Sequence, residues 1–371
     1  MPDRHPESTD GRAGRGRAPE VPDLKGMTMA DLEDLCASLG EPRYRASQLA
    51  SWIFGKDESE FAAMTNLPAS LRNRLAGEYT ICRSRTIREE RSEKDETRKL
   101  LLEYADGARI EAVILDDAGR KTGCISSQVG CRFGCVFCAT GGMGLKRDLT
   151  AAEIVEEVQT VARAIRPERL ENLVFMGMGE PLDNYDAVLK AVRILNAEWG
   201  LGIGARRITI STAGLVEGMR RLAGEGLQVN LAVSLNAARQ ELRERLMPVA
   251  RLHPLPELVS AAREYCEKTG RMLTFEYVLL RGLNDSPEDA SALAELAAGL
   301  PCKINLICYN RIDGDTLTPP TKDETKRFLS ELRRTCPTVV RRKSRGDDIS
   351  AGCGQLRVAA GGRADPRETG R

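Results

Sequence analysis

The sequence predicts an α/β fold, a parallel sheet or barrel of about six strand–helix units, preceded by a small all-helical domain. From about residue 97, strand-like apolar runs such as RIEAVIL and NLVFMG alternate with amphipathic segments such as TAAEIVEEVQTVARAI. Residues 28–78 instead give only helical patterns, which Gly and Pro divide. The 371-residue chain is 42% hydrophobic, an ordinary share for a globular protein with an apolar core.

The composition also predicts where the domains begin and end. Residues 1–22 are rich in Gly, Pro and charge, which is typical of a disordered tail. We expect the helical domain and its linker at 23–95, the α/β domain at 96–360 and a C-terminal tail at 361–371. No run of 18 apolar residues and no apolar signal segment is present, so we expect a cytoplasmic protein without a membrane span.

Polar, glycine-rich segments follow four of the predicted strands. They are GMGEPLDN, STAG, SLNAARQE and CYNRIDG. Turn chemistry alone explains any one of them. Four at successive strand ends favour a shared cofactor pocket, because the carboxyl ends of parallel strands converge.

Cysteine is the chain's most informative residue type. There are 11 cysteines and only two histidines, so a histidine-based metal centre is nearly excluded. Cys131, Cys135 and Cys138 form the segment CRFGCVFC, and Cys124 precedes them. In a chain without a signal peptide, such clustering indicates metal binding or catalysis rather than disulfides. The spacing leaves two possibilities, a zinc site that Cys124 closes, or an iron–sulfur cube on three thiolates with one open iron.

Several motifs resemble those of one enzyme family. The C-x3-C-x2-C spacing, with an aromatic residue before the last cysteine, resembles the loop of radical S-adenosylmethionine (SAM) enzymes, and GMGEP resembles their segment that holds the SAM amino group. CISSQVGC at 124–131, FMGMGEPLDN at 175–184 and GDDISAGCGQL at 346–356 resemble the RlmN/Cfr family of RNA methyltransferases. The resemblance runs through nearly all of residues 95–358.

This resemblance implies a fold, the radical SAM partial (β/α)6 barrel, and it implies the cofactors and the substrate of the reaction. A [4Fe-4S] cluster would bind Cys131, Cys135 and Cys138, and two SAM molecules would be used per turnover. The substrate would be an adenine of 23S ribosomal RNA. RlmN-type members methylate C2 and also act on a tRNA anticodon-loop adenosine, whereas Cfr-type members methylate C8 and confer antibiotic resistance.

The resemblance also assigns roles to individual residues. Cys353 would carry the methyl group as S-methylcysteine, Cys124 would resolve the RNA adduct through a transient disulfide with Cys353, and Glu111 would accept the C2 proton. Two flanking glycines predict that Cys353 lies on an exposed loop, whereas Cys124 is open to interpretation as a core residue or a zinc ligand. The expected SAM contacts are Gly179, Glu180, Ser211, Ser234, Leu235, Asn236 and Asn310. The cysteines expected to be structural are Cys36, Cys82, Cys266, Cys302, Cys308 and Cys336.

Two departures from the RlmN pattern leave open whether C2 or C8 of the adenine is methylated. CYN at 308–310 stands where RlmN-type members have a Pro-Phe-Asn-like stretch, and GLKRDLT at 144–150 leans towards Cfr-type sequences. The basic segment RRKSR at 341–345 is a candidate for holding RNA phosphates, whereas 83–99 is expected to be a solvated face.

The expected partners are 23S rRNA, tRNA and an external flavodoxin-like or ferredoxin-like electron donor, with the chain as a monomer. Two rival functions remain open. One is a zinc-stabilised RNA-binding protein, and the other is a radical SAM enzyme that activates or matures a protein.

Overall fold

The computed structural model describes residues 21–117, 119–312, 314–335 and 338–358. The predicted tails, 1–22 and 361–371, lie outside the described residues except for 21 and 22, and so does Cys336. No helix within the described ranges is both long and apolar enough to span a bilayer.

The N-terminal region is helical, as the sequence predicts. At the start of its first helix, the Thr28 side chain accepts the Asp31 N–H at 3.2 Å and the Asp31 carboxylate accepts the Thr28 N–H at 2.9 Å. This reciprocal cap fixes where the helix begins. The helices are α1 (Met29–Ser38), α2 (Tyr44–Ala50) and α3 (Ala69–Glu78).

A buried ion pair joins this region to the rest of the chain. The Lys25 ammonium contacts the Glu156 carboxylate, and the two side chains are only 1% and 0% exposed. Arg163 also donates to Glu156 at 2.5 Å, and the Gln159 side chain donates to the Ile53 carbonyl at 2.9 Å. The helical region is therefore docked through buried polar contacts that leave little freedom in its orientation.

Within the described ranges, twelve strands and seven further α-helices follow. In chain order they are β1 (Arg85–Arg91), β2 (Arg98–Glu103), β3 (Arg109–Asp117), β4 (Arg120–Cys124), β5 (Gln128–Cys131), β6 (Gly144–Asp148), α4 (Ala151–Ala164), β7 (Leu170–Phe175), α5 (Tyr185–Asn196), β8 (Ile208–Thr212), α6 (Val216–Ala223), β9 (Asn230–Ser234), α7 (Gln240–Leu246), α8 (Leu255–Thr269), β10 (Leu273–Leu279), α9 (Pro287–Ala297), β11 (Cys302–Cys308), α10 (Lys322–Thr335) and β12 (Val339–Arg342).

Ten of the strands form one open sheet in the order β1-β2-β3-β4-β7-β8-β9-β10-β11-β12, and β5 pairs with β6. The first four are antiparallel neighbours, and every pair from β4–β7 to β11–β12 is parallel. Strands β3 and β4 face β11 and β12 across a gap, so the sheet curves without closing. The predicted partial barrel is confirmed.

Strand β1 is a feature that the sequence pattern does not predict. Arg85–Arg91 is almost entirely exposed and contains five charged residues, so it lacks the apolar alternation of a strand. Backbone pairing with β2 nevertheless extends it, and Glu89 binds both Arg91 and Arg98 at 2.8 Å. The segment is the solvated face expected of it, but it adds an edge strand to the sheet.

Candidate active site

The three-cysteine segment forms a loop at the mouth of the barrel. Cys131 is the last residue of β5, and the next residues are held by two backbone bonds, from Val136 N–H to the Leu246 carbonyl at 3.0 Å and from Ala139 N–H to the Gly354 carbonyl at 2.7 Å. The second bond ties the loop to the segment that carries Cys353.

A glycine before the loop is required sterically. Gly130 has φ +84°, and a Cβ there would lie 1.9 Å from the Gly144 carbonyl oxygen on β6. Only glycine allows the two strands to approach this closely.

Cys131, Cys135 and Cys138 line one cavity, here called the central cavity, of about 1020 Å³ including its open mouth. Of the remaining predicted site residues, the central cavity is also lined by Gly179, Glu180, Ser211, Ser234, Asn236 and Cys353. Strand ends that lie far apart in the sequence thus share one space.

The loop thiols suit an iron–sulfur cluster. Burial raises the pKa of Cys131 to about 12, and burial followed by the charges of Cys138 and Cys131 raises that of Cys135. Such thiols become thiolates when a metal takes the place of the proton. Among the described residues, no three His, Cys, Asp or Glu side chains converge on one point, as the ligands of a single ion do. A cube differs, because each thiolate binds a separate iron.

Glu180 presents a buried carboxylate to the central cavity. It is 4% exposed and accepts the N–H groups of Leu182 at 3.0 Å and Ala213 at 2.6 Å. Burial raises its pKa to about 7, although these N–H groups oppose the rise. A bound cation would favour its ionised form, which makes it suited to hold an amino group.

The turn that carries Glu180 is held by Gln128. The Gln128 side chain accepts the Glu180 N–H at 2.9 Å and donates to Asp148 at 2.8 Å and Asp183 at 2.7 Å. At Gly179, where φ is +101°, a Cβ would lie 2.6 Å from the Gln128 Cβ. The GMGEP segment therefore needs its glycine for close packing as well as for conformation.

Two of the seven predicted SAM contacts do not line the central cavity. Leu235 is fully buried, and its backbone bonds to the Glu276 carbonyl and to Arg243. Asn310 donates from its side chain to the Cys353 carbonyl at 3.1 Å and lines a neighbouring space. Asn236, by contrast, fixes the pocket wall by accepting the Val278 N–H at 2.8 Å.

That neighbouring space, here called the gap cavity, lies between the two ends of the open sheet. Cys124, Cys353, Asn310 and all of residues 341–345 line it. Cys353 is exposed, as predicted, and lines both the gap cavity and the central cavity. The structure therefore brings Cys124 to Cys353 and not to the cavity of the loop thiols.

Cys124 and Cys353, the two cysteines of the gap cavity, lie close enough for their charges to interact. Burial raises the pKa of Cys124, and the charge of Cys353 raises it further. Although Cys353 is exposed as a residue, desolvation by the protein around its thiol raises the pKa of Cys353, and the nearby Arg342 opposes this rise. Neither thiol is a ready nucleophile without help from its surroundings.

Glu111 lies outside both cavities. It is 3% exposed on β3, and its carboxylate lies 3.3 Å from Lys99 Nζ and accepts the Arg357 N–H at 2.8 Å. Burial raises its pKa, as the sequence predicts, and Lys99 opposes the rise. It shares the β3 face with Val113 and Leu115, which line the gap cavity, so it lies one step further along the same face.

Two buried charged residues near the site were missed by sequence reasoning. Arg243 is fully buried, donates to the carbonyls of Ala213 and Leu235, and has a pKa that burial lowers to about 10. Glu276 lines the central cavity and is 6% exposed. An acid in the apolar run MLTFEYVLL was a readable signal for Glu276, whereas Arg243 belongs to the charged segment RQELRERL and gave none.

The five other described cysteines lie away from both cavities. Cys36, Cys266 and Cys302 are buried, and Cys82 and Cys308 are partly buried. None of these five lines the central or gap cavity.

Comparisons with known proteins agree with this geometry. Residues 125–294 match the model of the radical SAM superfamily, and residues 22–81 match that of the ribosomal RNA large subunit methyltransferase N-terminal domain. A probable dual-specificity RNA methyltransferase RlmN of Symbiobacterium thermophilum is 46% identical over 93% of this chain and 92% of its own. The dual-specificity RNA methyltransferase RlmN of Anaeromyxobacter dehalogenans is 45% identical over 94% and 95%.

A solved structure is also similar. The crystal structure of a radical SAM methyltransferase from Sphaerobacter thermophilus superposes with a TM-score of 0.86 at 46% identity, covering 91% of this chain and 99% of that one. Identity at this level over nearly the whole length shows common family membership. The chain belongs to the RlmN family of radical SAM RNA methyltransferases.

Proposed function

We propose that this enzyme methylates C2 of an adenine in 23S rRNA and of an adenosine in a tRNA anticodon loop, through a methyl group carried on Cys353. The observation that carries the proposal is the position of Cys353, which lines both the central cavity and the gap cavity. A cysteine at that junction can receive a group from a cofactor on one side and pass it to RNA on the other.

The central cavity is proposed to hold the cofactors. Cys131, Cys135 and Cys138 would hold a [4Fe-4S] cluster, and Glu180 would accept a hydrogen bond from the SAM amino group. Ser211, Ser234 and Asn236 also line this cavity and would contact the nucleoside. With both groups bound, the site supplies a methyl cation equivalent from one SAM and a 5′-deoxyadenosyl radical from another, so two SAM molecules serve each turnover.

The gap cavity is proposed to admit the target base. Adenine C2 is hidden in a stacked helix, so the base must be extruded before its ring carbon is reached. Arg341, Arg342, Lys343 and Arg345 border the cavity and would hold the flanking phosphates. The helical region at 23–95 would add a second RNA contact beside the catalytic domain at 96–360.

Two further residues complete the proposed reaction. Cys124 lies in the same cavity as Cys353 and would release the product. Its thiolate would bond to the Cys353 sulfur as the bond from that sulfur to the RNA-linked carbon breaks, and this carbon would keep the electron pair and take up a proton. Glu111 would accept the C2 proton, and its raised pKa suits a base. Because its carboxylate now accepts the Arg357 N–H, this role requires RNA binding to move residues 355–358 aside. We further propose a cytoplasmic monomer that a flavodoxin-like or ferredoxin-like protein reduces.

The test is mass spectrometric mapping of methylated adenosines in 23S rRNA and tRNA from cells with and without this gene. We expect 2-methyladenosine to disappear on deletion, to return with the wild-type gene and to stay absent with Cys353→Ala. Loss of 8-methyladenosine instead would assign the Cfr-type reaction. Unchanged adenosine methylation in both RNAs would refute the proposal.

A further inference from the structure

Glu276 is a buried carboxylate with an unmet hydrogen bond. It lies in the middle of β10, faces the barrel interior and is 6% exposed. Its Oε1 accepts the Asn305 side-chain N–H at 2.8 Å, whereas its Oε2 has no hydrogen-bond partner among the described residues. Leaving a buried carboxylate oxygen unpaired is costly, so native structures normally supply a donor from protein, water or ligand.

Strand register places Glu276 in a row with two other polar side chains. Glu276 pairs with Ser234 on β9 and with Asn305 on β11, so the three side chains form one row on the interior face. Neighbouring strands are about 4.8 Å apart, which brings the Ser234 hydroxyl within reach of whatever Glu276 binds. Both residues line the central cavity.

The nearby cations do not satisfy the free oxygen. A third cavity is lined by Glu276, Arg342 and Lys303. In the described part of the chain, neither cation lies within 4.0 Å of the Glu276 carboxylate as an ion pair. Burial raises the Glu276 pKa, and the charge of Arg342 opposes the rise only from a distance. Because Glu276 also lines the central cavity, a neutral donor bound there could complete the site.

The strand order indicates which donor this is. The SAM amino group is assigned to Glu180, which follows β7, and β10 lies three strands further along the curved sheet, about 14 Å when measured along the sheet. One SAM molecule cannot present its amino group at both carboxylates. Its other donors are the two ribose hydroxyls and the adenine amine, and Ser234, which pairs with Glu276, already belongs to the predicted SAM contacts. Acidic side chains on strands commonly accept ribose hydroxyls in nucleotide sites.

We infer that Glu276 is a specificity-determining residue, whose Oε2 accepts a hydrogen bond from a ribose hydroxyl of SAM beside Ser234. The inference rests on the proposed function, because it requires SAM in the central cavity. It adds a contact on β10 to those on β7, β8 and β9, and it explains why a carboxylate is kept in the apolar strand LTFEYVL.

The experiment is a ligand cycle on the anaerobically reconstituted holoenzyme. Calorimetry would measure binding of S-adenosylhomocysteine and of its 2′-deoxy and 3′-deoxy analogues to the wild type and to Glu276→Ala. A hydrogen bond to a charged acceptor is worth about 10- to 100-fold in affinity. We expect the wild type to bind one deoxy analogue about 10- to 100-fold more weakly than S-adenosylhomocysteine. Glu276→Ala should bind S-adenosylhomocysteine itself about that weakly, and its affinities for S-adenosylhomocysteine and that analogue should differ by less than about threefold.

Two further variants keep the test decisive. Glu276→Gln preserves the shape of the side chain and serves as the test if the alanine variant folds poorly. We expect it to lose less affinity for S-adenosylhomocysteine than Glu276→Ala. Glu157→Gln is the matched control, because Glu157 is fully buried, also has an unpartnered Oε2, and does not line the central cavity. It should bind all three ligands as the wild type does.

The outcomes separate this inference from the proposed function. Equal discrimination by the wild type and Glu276→Ala would overturn the inference alone, as would weaker RNA binding by the variant with unchanged binding of S-adenosylhomocysteine. A wild-type holoenzyme that binds no S-adenosylhomocysteine would overturn the proposed function, and the inference with it.

Discussion

Replacing Glu180 by Gln should remove a pH dependence from the stability of the cofactor-free protein. Burial raises the pKa of this carboxyl from 4.5 to about 7 in the folded chain. Between these two values the native state holds a proton that the unfolded state has lost, so the unfolding free energy falls as pH rises. The difference of about 2.5 pH units corresponds to about 3 kcal/mol.

The assay is urea unfolding of the two proteins at pH 5, 6, 7 and 8, followed by circular dichroism. The wild type should lose about 3 kcal/mol more than Glu180→Gln between pH 5 and pH 8. Glu217→Gln serves as the control, because its carboxylate is 75% exposed and it also removes one negative charge. Parallel pH curves for the wild type and Glu180→Gln would show that the site does not disfavour the carboxylate, and the argument for its role in binding a cation would fail.

Three other predictions follow from the described contacts. Glu156→Gln should lower the unfolding free energy by about 3–5 kcal/mol, because Lys25 remains buried without its anion. Lys190→Met removes an ion pair that is 41% exposed on the lysine side and should cost at most about 1 kcal/mol, so equal losses in urea unfolding would contradict the reasoning. Lys343→Ala should weaken RNA binding at all sequences and reduce the slope of log Kd against log salt by about 1, which filter binding measures; an unchanged slope would remove Lys343 from the RNA surface. Glu111→Gln should slow RNA methylation by about 10²- to 10⁴-fold while leaving methyl transfer to the protein thiol intact, as intact-protein mass reports. Loss of both steps would instead point to a structural role.

The fold was predictable because its signals are local. Alternating strand and helix patterns, and polar segments after each strand, depend only on neighbouring residues, and the structure gathers Gly179, Ser211 and Ser234 around one cavity as parallel strands require. Strand β1 escaped prediction because its stability comes from backbone pairing with β2, which leaves no apolar pattern in a charged segment.

The parts of the site that depend on long-range packing were not readable from residue patterns. Nothing in the spacing joins Cys124 to Cys353, and only the family resemblance suggested the pair that the gap cavity now brings together. Burial of Arg243 depends on the carbonyls of loops after β8 and β9, and the sequence of its own helix does not predict these contacts. Glu111 was recognised as a buried acid, but its contact with Lys99 across β2 and β3 required the sheet register.

The central claim is that Cys353 carries the methyl group to RNA and that Cys124 releases the product. The most direct measurement is the intact mass of Cys124→Ala after anaerobic turnover with RNA, with Cys308→Ala as the control, since Cys308 does not line the gap cavity. We predict an RNA-linked protein for Cys124→Ala, with the link mapped to Cys353, and none for the control or for a variant that lacks both gap cysteines. Full turnover by Cys124→Ala without any protein–RNA adduct would contradict this mechanism.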